Sequence, residues 1–292
     1  MKIKTECVPC LLKRIIFETK QSTNNKEIQT RAIQNACLIL SKNYDPKESS
    51  ATIATKVHKI IYDTLGDKDP YKELKNKSNE VASSLLPKIN KIISNSNDSL
   101  KSAMICSIVG NIMDFGIEGS SNNPKDLEKM FYKIYKEKLG HDDFLKSKKI
   151  IRKSKKIILF LDNCGEIVFD KVLCMELKKV NPNLFLTVVA RGEPILSDAT
   201  IDDINKFDFT NIVDEILTTG CFAVGVDFNK IPNKLKSSLD KSDLIICKGM
   251  ANYESFSETN YKPILYLLRS KCNAIASSMD VPLNKNIIKL FN

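Results

Sequence analysis

The feature that most constrains the fold of this 292-residue chain is a change of pattern near residue 155. Before that point, apolar residues recur three and four positions apart, which is typical of amphipathic helices. After it, short apolar runs alternate with helical stretches, at 157–161, 184–189, 215–217, 244–247 and 264–268. Continuous apolar runs are typical of strands buried on both faces, and their alternation with helices predicts a parallel sheet covered by helices. We therefore predict an α/β fold.

The same change of pattern divides the chain into a helical domain at 1–150 and an α/β domain at 151–292. In the helical part, turn-forming pairs such as Asp69-Pro70 separate one helical pattern from the next. One helix is predicted at 100–114. Another is predicted to follow Asn123-Pro124, because proline suits the first turn of a helix.

The net charge of +10 could indicate a nucleic-acid partner, because Lys and Arg neutralise phosphates. However, only five of the 45 basic residues are Arg, the residue favoured for reading bases and for clamping phosphates with two hydrogen bonds. We therefore expect a lysine-coated, solvated surface and no nucleic-acid partner. A Lys-rich RNA-binding protein is kept as an alternative.

No stretch approaches the ~18 consecutive apolar residues of a membrane span, and the first residues lack the apolar segment of a signal peptide. We therefore expect a cytoplasmic protein with no membrane partner. Nine cysteines without an export signal do not describe a disulfide framework.

Only Cys7 and Cys10 form a recognisable cysteine spacing, in Cys7-Val8-Pro9-Cys10. Two thiols supply half of the four ligands that a structural zinc ion needs, so the spacing leaves metal binding, redox chemistry and packing open. A helix that begins beside the pair would lower a thiol pKa.

Polar side chains follow three of the predicted strands, at the end of the sheet where ligands of parallel sheets bind. Asp162 and Asn163 follow the run at 157–161, and Asp198 lies beyond the next run. Carboxylate and amide oxygens suit Mg²⁺ or Mn²⁺. The same residue types also commonly cap helices, so each one alone has a structural alternative.

The third run is followed by Lys248-Gly249, and Asn252 and Glu254 come shortly afterwards. Gly249 permits an unusual backbone turn, and Lys248 is placed to act as a point charge for a phosphate. In the helical half, Asn111 and Asp114 are three residues apart in an apolar helix and therefore share a face. Buried polar groups need partners, which an interdomain loop or a substrate could supply.

On the basis of these residues and their order, the chain resembles the DUF89 family, the metal-dependent damage-control phosphatases. The matching segments fall in the order that the family has, at 7–10, 110–116, 162–167, 194–200, 248–254 and 267–272. The pair Cys7 and Cys10 is similar to the mark of subfamily I, the archaeal-type branch. Cys164 and Ser197 depart from the small residue and the Asn that are usual at those places.

The resemblance implies a helical domain packed on a Rossmann-like α/β domain, with one divalent metal at their junction. It implies that Asp162, Asn163 and Asp198 ligate this ion, which would be Mn²⁺, Ni²⁺ or Co²⁺, with Mg²⁺ as a further candidate. The ion would polarise the phosphoryl group of a small phosphorylated metabolite, such as a damaged or surplus nucleotide or sugar phosphate. Either water or the Asp162 carboxylate could attack, and we favour water.

The remaining roles follow from the same resemblance. Lys248, Asn252 and Glu254 would contact the phosphate or the leaving group beside Asp162. Asn111, Asp114 and Lys271 would bind substrate. The rival haloacid-dehalogenase phosphatases need a second Asp two positions after the first, where this chain has Cys164. A regulatory module that binds metal without turnover is the alternative outside catalysis.

Overall fold

The structure is a computed structural model that describes residues 1–111 and 124–292, with side chains from residue 128 onward in the second range. Its centre is a seven-stranded sheet. The strands, in chain order, are β1 (His141–Asp142), β2 (Lys156–Phe160), β3 (Phe185–Ala190), β4 (Glu215–Thr218), β5 (Leu244–Lys248), β6 (Ile264–Arg269) and β7 (Asn286–Phe291).

Helices surround the sheet and fill the amino-terminal part of the chain. They are α1 (Cys7–Ser22), α2 (Lys26–Asn43), α3 (Ser50–Leu65), α4 (Lys72–Ser94), α5 (Ser99–Gly110), α6 (Pro124–Tyr135), α7 (Phe144–Lys153), α8 (Glu166–Val180), α9 (Ile201–Asn205), α10 (Asn233–Asp240), α11 (Gly249–Phe256) and α12 (Asn273–Met279). The predicted α/β class is confirmed. No helix within the two described ranges combines the length and the apolar character needed to cross a membrane.

The strands lie in the order β1-β7-β6-β5-β2-β3-β4, and neighbours run parallel except for β6 and β7. The parallel arrangement is thus as predicted, and the antiparallel pairing of β6 with β7 is an exception to it. Strand β7 lies beside the short edge strand β1, and antiparallel pairing near the edge of an otherwise parallel sheet is common. Strand β1, which precedes the predicted domain boundary at residue 151, already belongs to the sheet, and the two-domain division stays a prediction.

Both faces of the sheet are buried, because alternate residues of each strand point to opposite sides. Ile157 and Leu159 of β2 join an apolar core with helices α4 to α8, and Ile158 and Phe160 join a second core with α10, α11 and α12. Burying one such side chain contributes ~1.5–3 kcal/mol relative to leaving it exposed. Helices α1, α2 and α3 share a further, separate core.

Strand β2 lies at the point where the chain changes direction across the sheet. From β2 the chain proceeds to β3 and β4 on one side, and then returns to β5 and β6 on the other. The connections at the carboxyl ends of β2 and β5 therefore diverge and leave a crevice, which is where open α/β sheets bind ligands. The residues after β2, β3 and β5 meet at this crevice.

Candidate active site

The segments that follow β2 and β3 lie side by side. Asn163 and Asp198 form an isolated antiparallel bridge, and the Ala199 N–H donates to the Asp162 carbonyl oxygen at 2.8 Å. The Ser197 hydroxyl donates to Asn163 Oδ1 at 2.7 Å. The structure therefore brings together the three predicted metal ligands, Asp162, Asn163 and Asp198, and all three are buried.

Arg191, the first residue after β3, joins the two predicted carboxylate ligands. Its Nε donates to Asp198 Oδ2, and its Nη2 lies 3.5 Å from Asp162 Oδ1. Its Nη1 donates to Asn252 Oδ1 at 2.8 Å, and the side chain is buried. Arg191 is not among the predicted site residues, although its place directly after a buried strand is the signal that singled out Asp162.

Asn252, on α11, joins the ends of β2 and β5. Its Nδ2 donates to the carbonyl oxygens of Leu161 at 2.9 Å and of Lys248 at 2.7 Å, while its Oδ1 accepts from Arg191. Both ends of the amide are thus engaged inside the protein, and the predicted contact of Asn252 with a phosphate stays a prediction.

Lys248 is fully buried, and its ammonium points into the protein interior. It forms ion pairs with Glu166 and, at 2.8 Å, with Asp170, and it donates to the Ser107 carbonyl oxygen at 3.2 Å. Glu166 and Asp170 are four residues apart on α8, so both can face the same cation. Neither carboxylate is among the predicted site residues, and direct contact of Lys248 with a phosphate stays a prediction.

Asn111 reaches the same cluster from the end of α5. Its Nδ2 donates to Glu166 Oε2 at 2.7 Å and to Asp162 Oδ2 at 3.2 Å. Lys271, after β6, donates from its ammonium to the Asn111 carbonyl oxygen at 2.7 Å and remains partly exposed. The structure thus brings Asn111 and Lys271 to the site, whereas Asp114 lies outside the described residues.

Gly249 lies against Asp162 where β5 passes into α11. Its φ is +71°, as the expected unusual turn requires, and a Cβ atom there would lie 1.8 Å from Asp162 Oδ2. Any side chain at this position would occupy the space that the Asp162 carboxylate uses. The expectation of a special backbone turn at Gly249 is confirmed.

The charges of this cluster do not balance. The contacts above connect two buried cations, Arg191 and Lys248, with four buried carboxylates, those of Asp162, Glu166, Asp170 and Asp198, which leaves a formal charge of −2. Buried charges are costly unless they are paired. A divalent cation would balance this excess, and the predicted oxygen donors are the hard ligands that such ions prefer.

Burial and the neighbouring carboxylates raise the pKa values of Asp162 and Asp170, which favours their protonated forms. Burial is the largest cause that raises the pKa of Asp162, followed by repulsion from Asp198 and from Glu166. Burial also raises the pKa of Asp170 to about 6, although Lys248 opposes the shift. Within residues 1–111 and 124–292, no three His, Cys, Asp or Glu side chains group closely enough to hold an ion, so the predicted set depends on the Asn163 amide.

The Glu254 side chain forms its hydrogen bond with helix α3. Glu254, although it is on α11, accepts from the Ser50 hydroxyl at 2.6 Å, and its burial raises its pKa. Its contact with the phosphate or leaving group stays a prediction. The side chain points towards α3 because Ser50, the first residue of that helix, supplies its hydrogen bond.

The two cysteines of the CxxC motif lie in the first turns of α1. Cys7 is half-buried and packs against the same apolar cluster as Cys272, whereas Cys10 is exposed. The expected lowering of a thiol pKa at the helix start is wrong for Cys7, because burial raises its pKa. The role of the pair stays a prediction.

Comparison with known proteins identifies the family. The sequence profile of the damage-control phosphatase ARMT1-like domain matches residues 3–287. The chain belongs to this family. A damage-control phosphatase of Archaeoglobus fulgidus is 37% identical over 290 residues, which covers 99% of both chains. A damage-control phosphatase of Pyrococcus horikoshii is 29% identical over 282 residues, which covers 97% of this chain and 96% of the relative.

The fold agrees with this family assignment. The crystal structure of a DUF89 family protein from Pyrococcus horikoshii is similar to this structure with a TM-score of 0.90 and 28% identity, covering 100% of both chains. Membership of the ARMT1-like DUF89 family, the α/β fold and the phosphatase class are therefore confirmed. Subfamily I, inferred from the CxxC motif, stays a prediction.

Proposed function

We propose that this chain is a metal-dependent phosphatase that hydrolyses phosphomonoesters of small, damaged or surplus metabolites in the cytoplasm. In this proposal Asp162, Asn163 and Asp198 hold one divalent cation, which is Mn²⁺, Co²⁺ or Ni²⁺, with Mg²⁺ as a further candidate. The observation that carries the proposal is the buried cluster at the end of β2, where carboxylates exceed cations by two charges. A bound divalent cation supplies a Lewis acid that polarises the phosphoryl group.

The side chains around the predicted ligands orient them. Arg191 contacts both Asp162 and Asp198, so it fixes the two carboxylates relative to one another. Attraction from Asp170 and Glu166 outweighs the effect of burial and raises the pKa of Lys248, which therefore stays charged. In this arrangement Lys248 acts on the site through Glu166.

The substrate phosphate is expected on the side of the cluster where Lys271 and Asn111 lie. Lys271 is partly exposed, whereas Lys248 is fully enclosed, so Lys271 is the better placed of the two predicted phosphate ligands. An ammonium there would neutralise charge on the phosphoryl oxygens, where electrostatics and positioning supply most of the catalysis. Nucleotides and sugar phosphates are the proposed substrate classes.

Steady-state hydrolysis of an aryl phosphate tests this function. We expect turnover that depends on added Mn²⁺, Co²⁺ or Ni²⁺ and stops when a chelator is added. Asp162→Asn and Asp198→Asn should lose both metal and turnover. Asp63→Asn, which changes an exposed carboxylate paired with Lys59, serves as the matched control and should keep both.

Three results would contradict the proposal in different ways. Metal binding without turnover on any phosphomonoester would favour the regulatory module. Turnover that survives complete removal of metal would contradict metal dependence. Wild-type metal affinity in either aspartate variant would refute the ligand assignment.

A further inference from the structure

We infer that helices α3 and α4 position the two predicted metal-ligand loops, through Tyr62 and Asn79. Each of these side chains accepts a backbone N–H from one loop. The inference rests on the proposed function, because the loops concerned are those that carry Asp162, Asn163 and Asp198. Neither Tyr62 nor Asn79 contacts the reacting groups, so both are positioning residues.

Tyr62 holds the loop that carries Asp198. The Leu196 N–H donates to the Tyr62 hydroxyl oxygen at 3.0 Å, two residues before the predicted ligand. The Tyr62 ring is buried and packs edge-on against Phe222, with ring centroids 5.3 Å apart. Burial above all raises the pKa of Tyr62, so the hydroxyl stays protonated and accepts as a neutral group.

The loop also packs against α3 through apolar side chains. Ile195, next to Leu196, is fully buried in a small cluster with Ala54 of α3 and with Val224. The Val224 N–H donates to the Thr55 hydroxyl oxygen at 2.9 Å. Helix α3 therefore contacts the Asp198 loop through the apolar cluster of Ala54 with Ile195 and through the hydrogen bond to the Tyr62 hydroxyl.

Asn79 holds the loop that carries Asp162 and Asn163. The Gly165 N–H donates to Asn79 Oδ1 at 2.6 Å, two residues after Asn163. Gly165 is the residue before the first turn of α8, and Asn79 is buried. An N–H at the start of a helix has no partner within the helix, so the Asn79 oxygen supplies one from α4.

The two anchored residues both have positive φ angles. Leu196 has φ +49° and Gly165 has φ +80°. A leucine in the left-handed region is strained, and such a conformation persists only where the surroundings determine it. Each turn brings a predicted ligand to the site, so a turn that relaxes would move that ligand. The two hydrogen bonds from α3 and α4 oppose this relaxation.

Metal titration of four single variants and one double variant tests the inference. Tyr62→Phe and Asn79→Ala remove one acceptor each. Tyr135→Phe is the matched control for the tyrosine, because Tyr135 shares a hydrogen bond with Ser102 at 2.9 Å away from the loops. Asn76→Ala is the control on α4, where the Asn76 oxygen accepts from the exposed Lys206 at 3.2 Å.

Isothermal titration with Mn²⁺ should show about 10-fold weaker binding for each test variant, as is usual when a group that orients a ligand is removed. The double variant should bind more weakly still, and both controls should stay within about twofold of the wild type. Amide hydrogen exchange of the metal-free protein gives a second readout. Leu196 should lose protection in Tyr62→Phe, and Gly165 should lose it in Asn79→Ala.

The outcomes separate the inference from the proposed function. Unchanged Mn²⁺ affinity in Tyr62→Phe, with a wild type that binds one ion, would overturn the inference and leave the function intact. If Tyr62→Phe and Tyr135→Phe lose the same Mn²⁺ affinity, the loss reflects general destabilisation, and this result would also overturn the inference. A wild type that binds none of Mn²⁺, Co²⁺, Ni²⁺ and Mg²⁺ would overturn both. If Asn79→Ala does not fold, the comparison of Tyr62→Phe with its control decides.

Discussion

Replacement of Gly249 by alanine should disable the site through one atom. The added Cβ would lie 1.8 Å from Asp162 Oδ2 and 2.3 Å from its Cγ, so the carboxylate has to move by more than an ångström. That shift breaks the contacts of Asp162 with Asn163, at 2.7 Å, and with Asn111, at 3.2 Å. The Gly249 backbone, with φ +71°, also becomes strained.

The two effects differ in size and can be separated by a control. A non-glycine residue in the left-handed region costs about 1–2 kcal/mol. A buried charged group that loses its partners costs about 1–3 kcal/mol more. Gly66 has nearly the same φ, +67°, but a Cβ there would meet no atom within 4 Å. We therefore expect Gly66→Ala to cost about 1–2 kcal/mol and Gly249→Ala about 2–5 kcal/mol.

Urea unfolding of the metal-free variants measures the difference, and Mn²⁺ titration measures its effect on the site. Gly249→Ala should lose Mn²⁺ binding and phosphatase turnover, whereas Gly66→Ala should keep both. Equal free energies of unfolding for the two variants, together with wild-type Mn²⁺ affinity in Gly249→Ala, would refute the steric argument.

Three further changes test the charges. Arg191→Ala should destabilise the metal-free protein by about 3–5 kcal/mol, because it leaves two buried carboxylates without their cation. Added Mn²⁺ should raise Tm more in this variant than in the wild type. Equal rises in Tm would contradict the pairing of Arg191 with the two carboxylates. Lys248→Met should be less stable at pH 8 than at pH 5, because burial raises the pKa of Asp170 and the variant lacks the cation that opposes this shift. The Asp170 carboxyl is then neutral at the lower pH and a buried charge without its cation at the higher one. A flat Tm profile would count against this. Hydrogen bonds outweigh burial and lower the pKa of Asp143 to about 2, below its ordinary value. The stabilising effect of Asp143 is therefore present above pH ~4 and lost as the pH falls towards 2. In urea unfolding, Asp143→Asn should be less stable than the wild type at pH 7, and the difference in the free energy of unfolding should be smaller at pH 3.

Strand ends were predictable from the sequence, but side-chain directions were not. The apolar run at 157–161 predicts β2 to within one residue, and so it places Asp162 and Asn163 at the crevice. The sequence patterns do not predict strand β7, because Lys289 interrupts its apolar residues and leaves no long continuous apolar run. The fold class follows from patterns along the chain, which explains why it was the most predictable property.

The direction of a side chain depends on residues far away in the sequence. Lys248 is the last residue of β5, one residue beyond the predicted run, and its ammonium turns inward because Glu166 and Asp170 lie beneath it on α8. Glu254 turns towards Ser50 for a similar reason. Arg191 has its role because Asp162 and Asp198 converge on it, and no local spacing shows that convergence.

The order of strands in the sheet has a consequence for synthesis. Arg191 and Asp162 are 29 residues apart, whereas Asn252 and Leu161 are 91 apart, and closing the longer loop costs only about 1 kcal/mol more. The predicted ligands all lie in or next to the β2–α8–β3 unit, and the residues that enclose them arrive with β5. At 5–20 residues per second, the ribosome needs roughly 3–10 s to add the ~50 residues between Asp198 and Lys248. The proposed metal ligands are therefore synthesised several seconds before Lys248 and Asn252, which complete their surroundings.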